Sequence, residues 1–227
     1  MRLAELAARA LTLAGDGSRR TLLGIAGAPG AGKTTLARAL VAALADVPPP
    51  GATPGEWVAH VPMDGFHLAD AALHRLGRAG RKGAPDTFDA AGYAALLARL
   101  RADDPAVTVW APQFERDLEQ PLAGAIAVAP TARLVVTEGN YLLLDDPAWR
   151  PVAATLDEVW FCAPDERRRL DRLVARHVEF GKTPEHAAAW VREVDGPNAA
   201  RVAATAGRAD LVVTGDGPVD PGRGQSA

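Results

Sequence analysis

A chain of 227 residues with a formal net charge of −3 has room for one domain with a substantial core, or for one domain with a lid. The near-balanced charge gives no sign of a nucleic-acid or membrane surface, and no apolar stretch approaches the length of a membrane span. The single cysteine, Cys162, excludes an internal disulfide bond and fits the reducing cytoplasm, where we expect the protein to reside. His60, His67 and His74 have no partner cysteines and no zinc-like spacing, so we expect no structural zinc site.

Apolar runs typical of buried strands alternate along the chain with amphipathic segments typical of helices. The predicted strands are residues 21–26, 57–61, 107–111, 132–138, 156–162 and 210–213. The predicted helices are residues 1–9, 33–45, 68–76, 89–102, 165–179 and two segments within 184–206. A polar loop is predicted from the end of the third strand through Pro121. This alternation predicts an α/β fold with a doubly wound, mainly parallel sheet that has helices on both faces.

A phosphate-binding loop of the Walker A type, G-x-x-x-x-G-K-[ST], follows the first predicted strand and precedes a predicted helix. Its residues are Gly27, Ala28, Pro29, Gly30, Ala31, Gly32, Lys33 and Thr34, and Thr35 continues into the helix. Strand, glycine loop and helix in this order are the context that the motif requires, so a chance glycine-rich turn is a poor alternative. The glycine order does not fit the dinucleotide fingerprint G-x-G-x-x-G. The loop predicts a P-loop NTPase fold that binds ATP through residues 27–35, with Lys33 on the β- and γ-phosphates and Thr34 on Mg²⁺.

Two carboxylates follow predicted strands at the edge where a parallel sheet binds its ligand. Asp64 precedes Gly65 after the second strand, and a carboxylate there would accept the proton of a substrate hydroxyl that attacks the γ-phosphate. The alternative for Asp64 is a helix N-cap. Glu138 ends the fourth strand, where an acid would hold Mg²⁺ or its water, and the alternative is a satisfied strand-end carboxylate.

The predicted helix 165–179 is rich in arginine. Arg168, Arg172 and Arg176 are spaced four apart and share one face. Arginines can stabilise the charge that spreads over a transferring phosphoryl group, and we assign this role to Arg172 and Arg176. We expect the three arginines at the start of the helix, Arg167 to Arg169, to lie in solvent and pair with Asp165, Glu166 and Asp171.

Taken together, these residues resemble the family of pantothenate kinase, uridine kinase and phosphoribulokinase over roughly residues 20 to 213. Four segments carry the resemblance besides the phosphate loop: Met63 to His67 (MDGFH), Arg81 to Asp89 (RKGAPDTFD), Glu138 to Tyr141 (EGNY), and a C-terminal run that contains Trp190, Asn198, Thr205 and Arg208 to Leu211. The chain looks most similar to the proteins called "nucleoside/nucleotide kinase family" or "fructose transport system kinase".

The resemblance implies Mg-ATP-dependent phosphorylation of a small-molecule hydroxyl, with Asp64 as general base and arginines from a lid of about residues 165–190. It implies acceptor contacts from the segment Arg81 to Asp86 and from Asn198, and it implies that homodimers are common. The complete set of acceptor-binding candidates is Asp64, His67, Arg81, Lys82, Asp86, Phe88, Arg116, Tyr141 and Asn198. We expect one kinase domain over residues 1–214 and a disordered, Gly/Pro-rich tail over 215–227.

The chain departs from the family where the acceptor binds. Pantothenate kinases of this type are longer, the usual Tyr and His substrate loop is replaced by Pro112 to Asp117, and the lid has Arg176-His177 in place of Arg-Asp. The acceptor therefore stays open among a sugar, a nucleoside and a pantothenate-like acid alcohol. Two other functions also stay open: a partner-coupled ATPase without a small-molecule acceptor, and a nucleotide-dependent switch.

Overall fold

The structure is a computed structural model that describes residues 1–214. Its centre is a five-stranded sheet of β1 (Thr21–Gly27), β2 (Val58–Pro62), β5 (Leu134–Gly139), β6 (Glu158–Ala163) and β7 (Leu211–Thr214). The strand order is β2-β5-β1-β6-β7, and every neighbouring pair is parallel. The predicted α/β fold with a parallel sheet is confirmed.

Helices cover both faces of this sheet. The α-helices of residues 1–214 are α1 (Leu3–Ala14), α2 (Lys33–Leu44), α3 (Asp70–Arg75), α4 (Ala90–Arg101), α5 (Arg150–Thr155), α6 (Glu166–Glu179), α7 (Pro184–Trp190) and α8 (Gly196–Ala203). All residues of β1 and β5 are buried, as expected for central strands that are covered on both sides. One core packs α1 and α2 against one face of the sheet, and a second core packs α4, α5 and α8 against the other.

The order of the strands places the functional edge of the sheet. Strand β1 lies between β5 and β6, and it leads directly into the phosphate loop. Strands β2 and β5 pair in register, with Pro62 opposite Glu138, so the segments that follow them reach the same edge. In open parallel sheets the ligand binds at this carboxyl edge.

The prediction of a polar loop after the third strand is wrong. Residues Val109–Glu115 form β3, which pairs antiparallel with β4 (Gln120–Val128) in a separate two-stranded sheet. This hairpin packs closely on the 3-10 helix Met63–Phe66. A Cβ added to Gly65 would lie only 2.3 Å from the carbonyl oxygen of Pro112, so there is no room for a side chain at this position. Glycine at position 65 therefore allows the hairpin to form a wall beside the sheet edge.

The C-terminal helices form a connected unit around α6. A π-helical turn, Val191–Asp195, joins α7 to α8, and His177 of α6 contacts Asp195 of that turn with Nε2 and Oδ2 2.8 Å apart. No helix within residues 1–214 combines the length and the apolar character needed to cross a membrane. The tail predicted for residues 215–227 lies outside the described residues.

Candidate active site

The phosphate loop adopts the backbone geometry that its glycines allow. Gly30 and Gly32 have φ angles of +79° and +86°, which favour glycine. Gly32 turns the chain into α2, which begins at Lys33. The first N–H groups of a helix lack intrahelical acceptors and concentrate positive potential, so the start of α2 is suited to bind an anion.

Two side chains at the start of α2 contact the end of β5. Lys33 Nζ donates to Ala28 O at 3.1 Å and to Asn140 Oδ1 at 2.7 Å. Thr34 Oγ1 donates to Glu138 Oε1 at 2.9 Å. A direct hydrogen bond from Thr34 therefore joins the phosphate loop to the predicted metal-binding acid, and Lys33 joins it to the next residue but one, Asn140.

The electrostatics of this corner depend on burial. Burial lowers the pKa of Lys33, while the nearby carboxylates of Glu138 and Asp64 act in the opposite direction. Burial and Asp64 raise the pKa of Glu138, while Lys33 and Thr34 favour its ionised form. The charges of Lys33, Glu138 and Asp64 compensate one another only in part, and a polyanion that binds together with a cation would balance them.

The predicted general base lies on the segment that follows β2. Asp64 is the second residue of the 3-10 helix Met63–Phe66, whose N-cap is Pro62, so the N-cap alternative for Asp64 is wrong. Arg116 Nη2 lies 3.5 Å from Asp64 Oδ2, and the Arg116 guanidinium lies over the rings of Phe114 (5.8 Å) and Phe180 (5.7 Å). These contacts hold Arg116 beside the carboxylate without burying either charge.

These elements enclose one cleft of about 1280 Å³. Charged residues from five elements line it: Lys33 from α2, Asp64 from the 3-10 helix, Arg116 from the hairpin, Glu138 from β5, and Arg172 and Arg176 from α6. Gly30, Gly32, Thr34 and Thr35 also face it. Arg176 is half-buried, and its pKa is lowered by burial and by the neighbouring positive charge of Arg116.

Sequence reasoning misplaced one arginine. Arg167 and Arg168 are exposed as expected, but Arg169 is 3% exposed. Arg169 Nη1 donates to Pro29 O in the phosphate loop at 2.7 Å, and its other nitrogens donate to both carboxylate oxygens of Glu166. Arg169 therefore joins α6 directly to the phosphate loop.

Three of the other acceptor candidates, His67, Phe88 and Tyr141, form an aromatic layer and are not among the residues that line the cleft. The ring of His67 lies 4.0 Å from that of Phe88, and Phe88 lies 5.5 Å from Tyr141. Tyr141 donates to the carbonyl of Gly83, so it connects the end of β5 to the segment Arg81 to Asp86.

The basic residues of that segment are paired with acids. Arg81 Nη1 donates to Asp86 Oδ1 at 2.6 Å, and Lys82 Nζ donates to Asp70 Oδ1 at 2.7 Å. The charges of Arg81 and Lys82 are therefore partly compensated before any ligand binds.

The remaining candidate, Asn198, is buried in α8.

The oxygen donors present suit Mg²⁺. Within residues 1–214 no group of three or more His, Cys, Asp or Glu side chains is placed to hold a metal ion. Thr34 and Glu138 supply a hydroxyl and a carboxylate side by side, and Mg²⁺ commonly takes few protein ligands because phosphate and water oxygens complete its shell. The two residues therefore fit a cation that arrives with a nucleotide.

Known proteins with similar sequence and structure decide the family. The crystal structure of a protein from Silicibacter sp. TM1040 that carries the name fructose transport system kinase matches with a TM-score of 0.80 and 36% identity, over 94% of this chain and 99% of that one. The ATP-dependent kinase-like protein notR' of Aspergillus versicolor is 39% identical over 133 residues, which are 56% of this chain and 77% of the relative. The chain belongs to this family of P-loop kinases.

A third relative of this P-loop kinase is the Schizosaccharomyces pombe protein that carries the name uridine kinase C227.14. It is 33% identical over 167 residues, which are 72% of this chain and 68% of the relative. No protein-family model matches the chain. The predicted resemblance to uridine kinase and to fructose transport system kinase proteins is confirmed.

Proposed function

We propose that this P-loop kinase is an ATP-dependent phosphotransferase that moves the γ-phosphoryl group of ATP to a hydroxyl group of a small metabolite. The observation that carries the proposal is the cleft itself, in which Lys33 and Thr34 of the phosphate loop face the same space as Asp64. A carboxylate that faces the same space as the phosphate loop can accept the proton of an attacking hydroxyl group.

Asp64 acts as the general base in this proposal. The acceptor hydroxyl gives its proton to the Asp64 carboxylate while its oxygen forms a bond to the γ-phosphorus, and the bond from that phosphorus to the bridging oxygen of ADP breaks. General base catalysis typically contributes about 10²–10⁴-fold to the rate. Arg116 Nη2 lies 3.5 Å from Asp64 Oδ2, so this ion pair helps to hold the carboxylate in position beside the acceptor.

Residues of α2, β5 and α6 stabilise the transferring group. Lys33 holds the β- and γ-phosphates, and the backbone of the loop from Gly27 to Thr35 surrounds them. Mg²⁺, held through Thr34 and Glu138, offsets phosphate charge when it is bound with ATP. Arg172 and Arg176 line the cleft and neutralise charge that develops on the phosphoryl oxygens, a contribution of about 10³–10⁵-fold where arginines act in this way.

The acceptor binds between Asp64 and the hairpin. Arg116 is the cation that this wall presents to an acceptor, and Phe114, which also lines the cleft, packs on the ring of His67, which in turn packs on Phe88. Arg81, Lys82, Asp86, Tyr141 and Asn198 support or extend this region. Because relatives carry the names uridine kinase and fructose transport system kinase, nucleosides and sugars are the first acceptors to examine.

The test is ADP formation against a panel of hydroxyl compounds: sugars, sugar phosphates, nucleosides and pantothenate. Each compound is assayed with the wild-type protein and with Asp64→Asn, which keeps the size of the side chain. A rate that requires an acceptor and is lost in Asp64→Asn supports the proposal. A slow rate that needs no acceptor and survives the substitution contradicts it and favours a partner-coupled ATPase. Equally tight binding of GTP and GDP without turnover favours a nucleotide-dependent switch.

A further inference from the structure

One buried polar atom near the cleft has no hydrogen-bond partner. Among the buried side-chain nitrogens and oxygens of residues 1–214, His60 Nε2 is the only such atom. Native proteins pair most of their buried polar groups, so an unpaired one calls for an explanation. His60 lies in the middle of β2, and its side chain lines the cleft beside Thr34 and Arg38.

The nearest acid to His60 is Glu138. His60 Nε2 lies 3.9 Å from Glu138 Oε1, which is too long for a hydrogen bond of normal length, about 2.7–3.2 Å. An approach of about 1 Å would make that bond. The same carboxylate oxygen already accepts a hydrogen bond from Thr34 Oγ1.

The imidazole of His60 can donate a hydrogen bond from Nε2. A neutral imidazole carries one N–H, which can lie on Nε2, and both ring nitrogens of a protonated imidazole are donors. Glu138 Oε1 is therefore an acceptor toward which His60 can donate in either protonation state.

We propose that His60 is a positioning residue that donates a hydrogen bond from Nε2 to Glu138 Oε1 in the cation-bound state, and so orients the carboxylate toward the metal. The proposal rests on the proposed function, in which Thr34 and Glu138 hold Mg²⁺ with ATP. Carboxylates that bind a metal are commonly held by outer hydrogen bonds, and the loss of such a partner typically lowers metal affinity by about 10–100-fold.

This role explains why a polar residue occupies that position. Thr34 Oγ1 donates to Glu138 Oε1 at 2.9 Å, and a second donor from His60 would fix the direction of the carboxylate. Without the cation the His60 donor has no partner, so an apolar side chain of similar shape should suit the nucleotide-free protein at least as well.

The experiment compares the affinity for AMP-PNP, a non-hydrolysable ATP analogue, in excess Mg²⁺ and in EDTA, by isothermal titration calorimetry. The ratio of the two affinities is the gain due to the metal. We expect His60→Phe and His60→Leu to reduce this gain about 10–100-fold and to leave the affinity in EDTA unchanged. His60→Gln, which keeps a donor of similar reach, should retain most of the gain. Each nucleotide-free apolar variant should melt at or above the temperature of the wild type.

A double-mutant cycle with Glu138→Gln separates the role of His60 from a general effect on the cleft. If His60 acts through Glu138, adding His60→Phe to Glu138→Gln should reduce the gain no further. A wild-type protein that gains nothing from Mg²⁺ would overturn the proposed metal role itself. A wild type that gains affinity, together with apolar variants that gain equally or that melt well below it without nucleotide, would overturn only the inference on His60.

Discussion

Replacing Arg169 with alanine should weaken both the fold and ATP binding, because its guanidinium joins α6 to the phosphate loop. The charged hydrogen bond to Pro29 O is 2.7 Å long and buried, while Glu166, its other partner, has a side chain that is 70% exposed. A hydrogen bond from a charged group contributes about 1.5–3 kcal/mol and an exposed ion pair about 0–1 kcal/mol, so the free energy of unfolding should fall by about 2–4 kcal/mol. For a chain of this size that loss corresponds to roughly 4–16 °C in Tm.

The assay is thermal unfolding with and without ATP, with the exposed neighbour Arg167→Ala as the matched control. Arg167→Ala should change the stability by less than about 0.5 kcal/mol. Arg169→Ala should also raise the KM for ATP, because the loop loses the contact that fixes Pro29 against α6. Arg169→Lys should recover only part of both effects, since lysine has no planar fork to reach Pro29 and Glu166 together. Unfolding curves and KM values for Arg169→Ala that match those of Arg167→Ala would refute this reasoning.

Three further predictions concern other groups in and around the cleft. Glu138→Gln should lower the affinity for Mg-ATP with little effect on metal-free ATP, measured by calorimetry; equal losses in both would contradict a metal role. Burial raises the pKa of Cys162 to about 12, so its thiol should react with iodoacetamide at pH 8 only as fast as the protein unfolds, and rapid labelling of the folded protein would contradict its burial. Burial lowers the pKa of His60 from 6.5, its value in the unfolded chain, to about 4 in the folded protein. The unfolded chain therefore takes up the proton at a higher pH than the folded protein does, and the free energy of unfolding falls as the pH drops from 6.5 to 4. His60→Phe should reduce this fall by up to about 3 kcal/mol, and an identical pH profile for the variant would contradict the neutral imidazole.

The sheet and the phosphate loop could be predicted because their signals are local. The residues of β1 and β5 are mostly apolar and are buried along their whole length, and the glycine order of the loop is specific. The strand ends then placed Asp64 and Glu138 at one edge by topology alone. This part of the site follows from short stretches of sequence.

Strand β4 could not be predicted in the same way. Its residues, Gln120–Val128, are mostly small and exposed, so they show no alternation between apolar and polar positions. The strand forms because β3 pairs with it, and the tertiary fold places the hairpin against Gly65. The sequence therefore predicts a loop where the structure has the hairpin that carries Arg116.

The contacts of Arg169 and Lys82 could not be predicted from the sequence either. Arg169 is buried only because Pro29, 140 positions earlier, lies beside α6 in the fold. Spacing along a helix groups residues by face, but it does not say which face meets another segment. Likewise Lys82 is paired with Asp70, a contact that the basic sequence of its loop does not indicate.

Transfer of the labelled phosphoryl group from [γ-³²P]ATP to an isolated acceptor tests the central claim most directly. The account predicts a labelled product with at least one hydroxyl metabolite of the panel, and a rate that falls by about 10²–10⁴-fold in Asp64→Asn while the KM for ATP changes little. Label that appears only as inorganic phosphate, at the same rate in both proteins, would contradict the account.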